Sequence, residues 1–161
     1  MVGYQVRVTL DRPTDFSIRA WRAVKREAHR QTVLYWHRTY LKGHFTQEAQ
    51  EKYGYQPRSA TYLARPFKRG KPPLYHSGVT YQAAVRGTPL VRAFENRARL
   101  DMATPSYVKM RPDRRYNTRP NLGDEMTRVT YQEKQDLEAF LRDRLQEGIA
   151  NYRETQTILC E

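Results

Sequence analysis

Three features of the sequence predict an α+β fold. A segment near the start alternates apolar and polar residues. Two long stretches carry apolar residues at helical spacing, and between them lie two short apolar runs around a turn. Together they describe a small, mainly antiparallel sheet packed by a long N-terminal helix and a C-terminal helix, with long basic loops between. Residues 1–153 are expected to form a single domain with extended loops at 56–76 and 105–121, followed by a tail at 154–161.

The elements follow in order. Tyr4, Val6, Val8 and Leu10 alternate with Gln5, Arg7 and Thr9, the period of a half-buried strand. Asp11-Arg12-Pro13-Thr14-Asp15 breaks it, and Thr14 or Asp15 is placed to cap a helix. From Phe16 to about Leu41 there is neither Pro nor Gly, and Trp21, Val24, Ala28, Tyr35 and Thr39 form a stripe that Trp36 widens. Gly43 should end this helix, and Thr46 should cap a short one over Gln47–Tyr53, closed by Gly54. Four prolines between 56 and 76 predict a loop with at most a short helix near Ser59–Ala64. Ser77 and Gly87 bracket one or two helical turns. Pro89–Glu95 and Arg97–Met102 read as strands around a Glu95-Asn96 turn, and Glu125–Val129 as a last strand. Thr130-Tyr131-Gln132-Glu133 fits a capping box. Behind it Leu137, Phe140, Leu141, Leu145, Ile149 and Tyr152 form the clearest amphipathic stripe in the chain.

The chain has 161 residues, 29 Lys and Arg against 17 Asp and Glu, a net charge of +12, and a mean hydropathy of −0.91. The 12% aromatic content argues against full disorder. No apolar run is long enough to span a membrane, the start lacks a secretory apolar core, and the lone Cys160 rules out an internal disulfide or a cysteine-based zinc site. These features predict a protein made in a reducing cytoplasm, with no membrane association.

Catalytic patterns are weak. His29, His37, His44 and His76 form no HxxxH pair, Ser77-Gly78 lacks a GxSxG elbow, and no phosphate-binding glycine loop is present. The expectation is no enzyme, no cofactor and no metal.

The basic loops carry the signal. Arg58, Arg65, Lys68, Arg69 and Lys71 lie in the first, and Lys109, Arg111, Arg114, Arg115 and Arg119 in the second. Tyr53, Tyr55, Tyr62, Phe67, Tyr107 and Tyr116 sit beside them, and no acid lies between Glu51 and Glu95. Arg and aromatic residues are favoured in protein interfaces, and the same mixture suits single-stranded nucleic acid. Without an RRM, KH or helix-turn-helix pattern the subunit-interface reading is preferred, carried by Arg58, Arg65, Lys68, Arg69, Lys71, Arg111, Arg114 and Arg115. The alternative is a basic nucleic-acid-binding protein of ribonucleoprotein type.

The run Tyr53-Gly54-Tyr55, then Arg58 and Tyr62, then Pro73-Leu74-Tyr75-His76-Ser77-Gly78-Val79-Thr80 resembles the neck and tail-completion (head–tail joining) virion proteins of tailed bacteriophages. Those proteins carry Pro-Leu, two residues, Ser or Thr with Gly, then an apolar residue. Pro73, Leu74, Ser77, Gly78 and Val79 match these positions. The resemblance implies a structural virion subunit that forms a ring, six- or twelve-fold, linking the portal or connector to the tail tube. It would be assembled in the host cytoplasm and have at most transient contact with packaged DNA. On this reading Leu74 anchors the incoming loop to the core, Ser77 caps a helix, and Gly78 permits close backbone approach.

Overall fold

The computed structural model describes residues 11–75, 77–105, 108 and 121–159, with side chains described as far as residue 156. The predicted strand Tyr4–Leu10, most of the second basic loop and His76 lie outside the described residues. The architecture is α+β: helices dominate, and a two-stranded antiparallel hairpin rests on the first of the two long helices.

Helix α1 spans Ile18–Thr39. Its cap is Ser17, whose Oγ accepts the Ala20 N–H at 3.1 Å, and not Thr14 or Asp15. The reason lies one turn earlier. The Phe16 N–H bonds the Pro13 carbonyl at 3.0 Å, so residues 13–16 close a turn of their own. Asp15 faces Arg153 of the C-terminal helix instead, 2.8 Å away. Nor does Gly43 end α1. The helix stops at Thr39, and a 3-10 turn, Leu41–Phe45, carries the chain on through Gly43. A side chain at Gly43 would press on the Tyr53 hydroxyl, 3.1 Å from an added Cβ.

The short helix α2 covers only Ala49–Lys52, because the Thr46 hydroxyl donates to the Gly43 carbonyl rather than capping it. Gly54, at φ 61°, turns the chain out as predicted. Helix α3, Ala60–Leu63, is capped by Ser59. Helix α4, Val79–Tyr81, starts at Gly78 with φ 82°, and Ser77 makes no capping bond. The left-handed turn at Gly78 leaves room for the Tyr75 ring, whose hydroxyl would stand 2.8 Å from an added Cβ. A π-type turn, Gln82–Arg86, follows and closes through the Gly87 N–H on the Gln82 carbonyl.

Strands β1, Leu90–Ala93, and β2, Ala98–Asp101, pair antiparallel around Glu95-Asn96 as predicted, with Val91 opposite Leu100. The turn is clamped to α1: Glu95 takes Lys25 at 2.6 Å and Arg22 at 3.2 Å. The predicted strand Glu125–Val129 is not formed. Helix α5, Leu122–Met126, occupies its start, because the Asn121 side chain accepts the Gly123 and Asp124 amides and nucleates a turn.

Helix α6 spans Tyr131–Leu159. The capping box forms in full, with the Glu133 N–H on Thr130 Oγ1 and the Thr130 N–H on the Glu133 carboxylate, each at 3.2 Å. The helix outruns the predicted tail: residues 154–159 are helical, and no Pro or Gly follows Gly148 to stop them.

Two apolar clusters result. Phe16, Trp21, Ala28, Leu141 and Leu145 lie between α1 and α6. Trp36, Leu41, Phe45, Tyr53, Tyr55, Leu74, Ala84, Val108, Met126 and Leu137 form the larger cluster at the other end.

Candidate interaction surface

The segment from Pro57 to Tyr75, expected as an extended loop, is braced against its own chain. Lys68 is buried, and its ammonium donates to three carbonyls: Pro72, Pro73 at 3.1 Å and Tyr75 at 3.0 Å. A lysine has three ammonium protons, and here each has an acceptor. Burial, with the Arg58 and Lys71 charges nearby, lowers its pKa to about 8, so it stays charged at neutral pH. The cage exists because prolines carry no N–H, so the local backbone presents carbonyls with few competing donors. The Gln47 side-chain amide bonds the Gly70 carbonyl at 2.8 Å, and Leu74 enters the larger core, as its matched position implies.

Arg58 anchors the stem. Its guanidinium grips Glu125 in two-point fashion at 2.9 and 2.5 Å, with both side chains buried, and Glu125 also accepts the Gln56 N–H. Arg128 donates to the Tyr53 and Gly54 carbonyls on the same side. Two of the eight cations assigned to a subunit interface are thus internal braces. Arg58 and Lys68 are buried within their own chain and are corrected here to that role. Arg111, Arg114 and Arg115 lie outside the described residues.

What the braced loop shows outward is Leu63, Arg65, Phe67, Arg69 and Lys71, all exposed. Leu63 and Phe67 leave 47% and 42% of their surface open, two apolar side chains on one short loop. The Arg65 guanidinium stands 5.9 Å from both the Tyr62 and Phe67 rings, a cation–π arrangement that fixes its direction. The result is a held patch of two apolar anchors among three cations.

Behind it lies a buried polar cluster. His44 Nδ1 and the Tyr55 hydroxyl are 2.5 Å apart, and the His44 ring stacks on Tyr53 at 3.8 Å. The Tyr53 hydroxyl donates to Glu133 at 2.8 Å, and Lys52 reaches the same carboxylate at 2.8 Å. Burial drives the His44 pKa down to about 4 against the attraction of Glu133, so the imidazole is neutral at physiological pH. Burial also raises Tyr53 to about 12, with Glu133 adding to it. A histidine, two tyrosines and two carboxylates in contact would suit proton transfer if a substrate reached them. His44, Tyr55, Glu125 and Glu133 are each at least 97% buried, so the cluster is shielded from solvent. The cluster joins the 3-10 turn, α2, α5 and α6, and its chemistry is that of a structural network.

Local sequence shows the loop's basic and aromatic residues but not what holds them. Arg58 and Glu125 are 67 residues apart, and no spacing rule links them. The Tyr53-Gly54-Tyr55 run was the one local hint of the buried cluster. Among the described residues no group of three metal-ligating side chains converges, and no helix is long and apolar enough to cross a membrane. No family model matches the chain, and no characterised protein or solved structure is similar enough to count as a match.

Proposed function

We propose that the protein is a structural subunit of a tailed-phage head–tail junction, without enzymatic activity, that joins its neighbours in a ring through the braced basic loop. The supporting observation is the way the loop is built. Lys68, Arg58 and Gln47 hold it to the core while Leu63, Arg65, Phe67 and Arg69 face outward. A preformed patch with apolar anchors and directed guanidinium groups loses little conformational entropy when it docks, and Arg and aromatic side chains dominate such contacts. On this reading the partners are further copies of the chain and the portal or connector and tail-tube proteins. The residual positive charge suits a collar past which DNA travels.

The test is a double substitution, Arg65→Ala with Arg69→Ala, in the assembling particle. Lys68 must stay, because its loss would loosen the loop and confuse folding with docking. Both arginines are exposed, so the isolated variant should melt within about 0.5 kcal/mol of the parent. Ring formation and yield of joined particles should fall at least about tenfold, the effect of losing 1.4 kcal/mol or more at the contact. Normal particle yield defeats the reading. Normal assembly with lost, salt-sensitive binding of single-stranded nucleic acid would establish the alternative, for which Arg65 beside the Tyr62 and Phe67 rings is the favouring feature.

A further inference from the structure

A second surface lies along the hairpin, away from the loop. In β1–β2 the Phe94 N–H bonds the Arg97 carbonyl at 2.7 Å, which fixes the phase of the ladder. Alternation then makes Arg92–Arg99 and Leu90–Asp101 the hydrogen-bonded pairs. Val91 and Ala93 therefore turn their N–H and C=O groups away from β2, and no described segment pairs with them. A groove of about 670 Å³ begins at Val91. Val91 and its lead-in Val85, Gly87, Thr88 and Pro89 form one wall, α1 forms the other, and no residue of β2 contributes. It therefore leads up to the β1 edge that is unpaired among the described residues.

The walls state what would fit. Leu34 and Val85 are apolar, Arg30 and Arg38 stand on the rim, and no carboxylate lines the groove. Arg30 is held by Glu27 from behind, at 2.6 and 2.8 Å, while Arg38 has no acidic partner among the described residues. Gly87 keeps the wall thin: an added Cβ would lie 2.2 Å from the Ala83 carbonyl oxygen. Residues 30 and 38 are two turns apart, about 12 Å along the helix, which is close to the reach of four extended residues at about 3.3 Å each.

We propose that this edge accepts an extended acidic segment of a partner protein as a third strand, its main chain bonding Val91 and Ala93 and its carboxylates, four residues apart on one face, meeting Arg38 and Arg30. The mode is strand addition, in which backbone bonds supply affinity and alternate side chains supply selectivity. Charge argues against a second copy of this chain as the occupant. Six of its 17 acids lie on the helix α6, and no acid lies between Glu51 and Glu95, so it offers no extended acidic segment among the described residues. This surface shares no residue with the loop patch, so the inference does not depend on the head–tail reading.

The test uses the full chain and a ten-residue peptide alternating valine and glutamate, with a ten-nucleotide oligothymidine as competitor. Amide exchange at Val91 and Ala93 should slow at least about tenfold on adding the peptide, since those N–H groups become bonded. Arg38→Glu should weaken peptide binding about tenfold or more, while Arg97→Glu, the same charge change at the turn, should leave it within about twofold. Val91→Pro should abolish the protection without breaking the ladder, because its N–H is not bonded to β2. If that variant fails to fold, the exchange pattern and the Arg38 comparison decide alone. Absence of peptide binding, or protection away from β1, overturns the proposal. So does oligothymidine displacing the peptide from this edge, and so does concentration-dependent protection without peptide, which would assign the edge to a second copy.

Discussion

Between Phe16, Trp21, Ala28, Leu141 and Leu145, α1 and α6 meet through hydrocarbon. At the other end of the same helices the core is threaded with charge. His44, Tyr53, Tyr55, Lys52 and Glu133 form one chain of contacts, and Arg58 with Glu125 forms a buried pair beside it. The first region tolerates repacking of similar volume, because apolar contacts are non-directional. The second fixes geometry, because a buried polar atom that loses its partner incurs the cost of its desolvation. The exposed patch is attached to the second region, where directional bonds set its position.

The comparison is tested most severely by Glu125→Ala. Removing that carboxylate strands the Arg58 guanidinium in a site where its side chain is only 7% exposed. The expected loss is about 3–5 kcal/mol, and urea unfolding should show it. Leu141→Ala in the hydrocarbon region should cost about 2–5 kcal/mol by transfer and cavity terms. The two variants differ in kind. In Glu125→Ala, Lys68 and the loop should lose amide protection before the helix pair does. In Leu141→Ala the protection should fall along α1 and α6. Equal loss everywhere in both variants would show one cooperative core and erase the distinction.

This contrast also explains what could be read from the sequence. The α1 and α6 stripes, the Thr130–Glu133 box and the hairpin around Glu95-Asn96 are local or periodic, so spacing discloses them. Misread features depend mostly on distant partners. Asp15, placed with Thr14 to cap α1, is held by Arg153. Glu125, placed at the start of a strand, is the acceptor for Arg58. Thr46 is the local exception: its hydroxyl bonds the Gly43 carbonyl three residues back. Of the candidate surface, Arg65, Phe67 and Arg69 were legible as an exposed basic–aromatic mixture. The burial of Arg58 and Lys68 was not, since a lysine caged by proline carbonyls and a lysine in solvent have the same sequence neighbours.

Acid should separate the two regions next. An ordinary histidine titrates near 6.5, while His44 in the fold is driven down to about 4 by burial. The unfolded chain therefore binds the additional proton between those values. The stability from neutral His44 is fully present above about pH 6.5 and is lost as pH falls through about 4. The shift corresponds to about 3 kcal/mol. The Glu133 carboxylate, the Glu125 backbone and the Lys52 ammonium act on the same ring, so the readout is the difference between parent and variant. His44→Gln should flatten the slope between pH 6.5 and 4 relative to the parent. An identical slope in the variant would remove His44 from the acid response.

The smallest effects distinguish brace from surface inside the loop itself. Lys68→Met keeps the aliphatic stem but leaves the Pro72, Pro73 and Tyr75 carbonyls without their donor, at an expected cost of about 1–3 kcal/mol. Arg69→Ala, one residue on, removes an exposed side chain and should change stability by less than about 0.5 kcal/mol. Thermal midpoints of the two variants, measured together, give the sign and the order. The pairing matters because the two side chains are adjacent and alike in charge, so net charge changes equally, while Lys68 is buried and Arg69 is exposed. If Lys68→Met were as harmless as Arg69→Ala, the carbonyl cage would contribute nothing to the loop's position. The outward patch would then have to be ordered by its partner instead of by its own chain. If Arg69→Ala proved the more costly, its guanidinium would have an intramolecular role, and the docking surface would shrink to Leu63, Arg65 and Phe67.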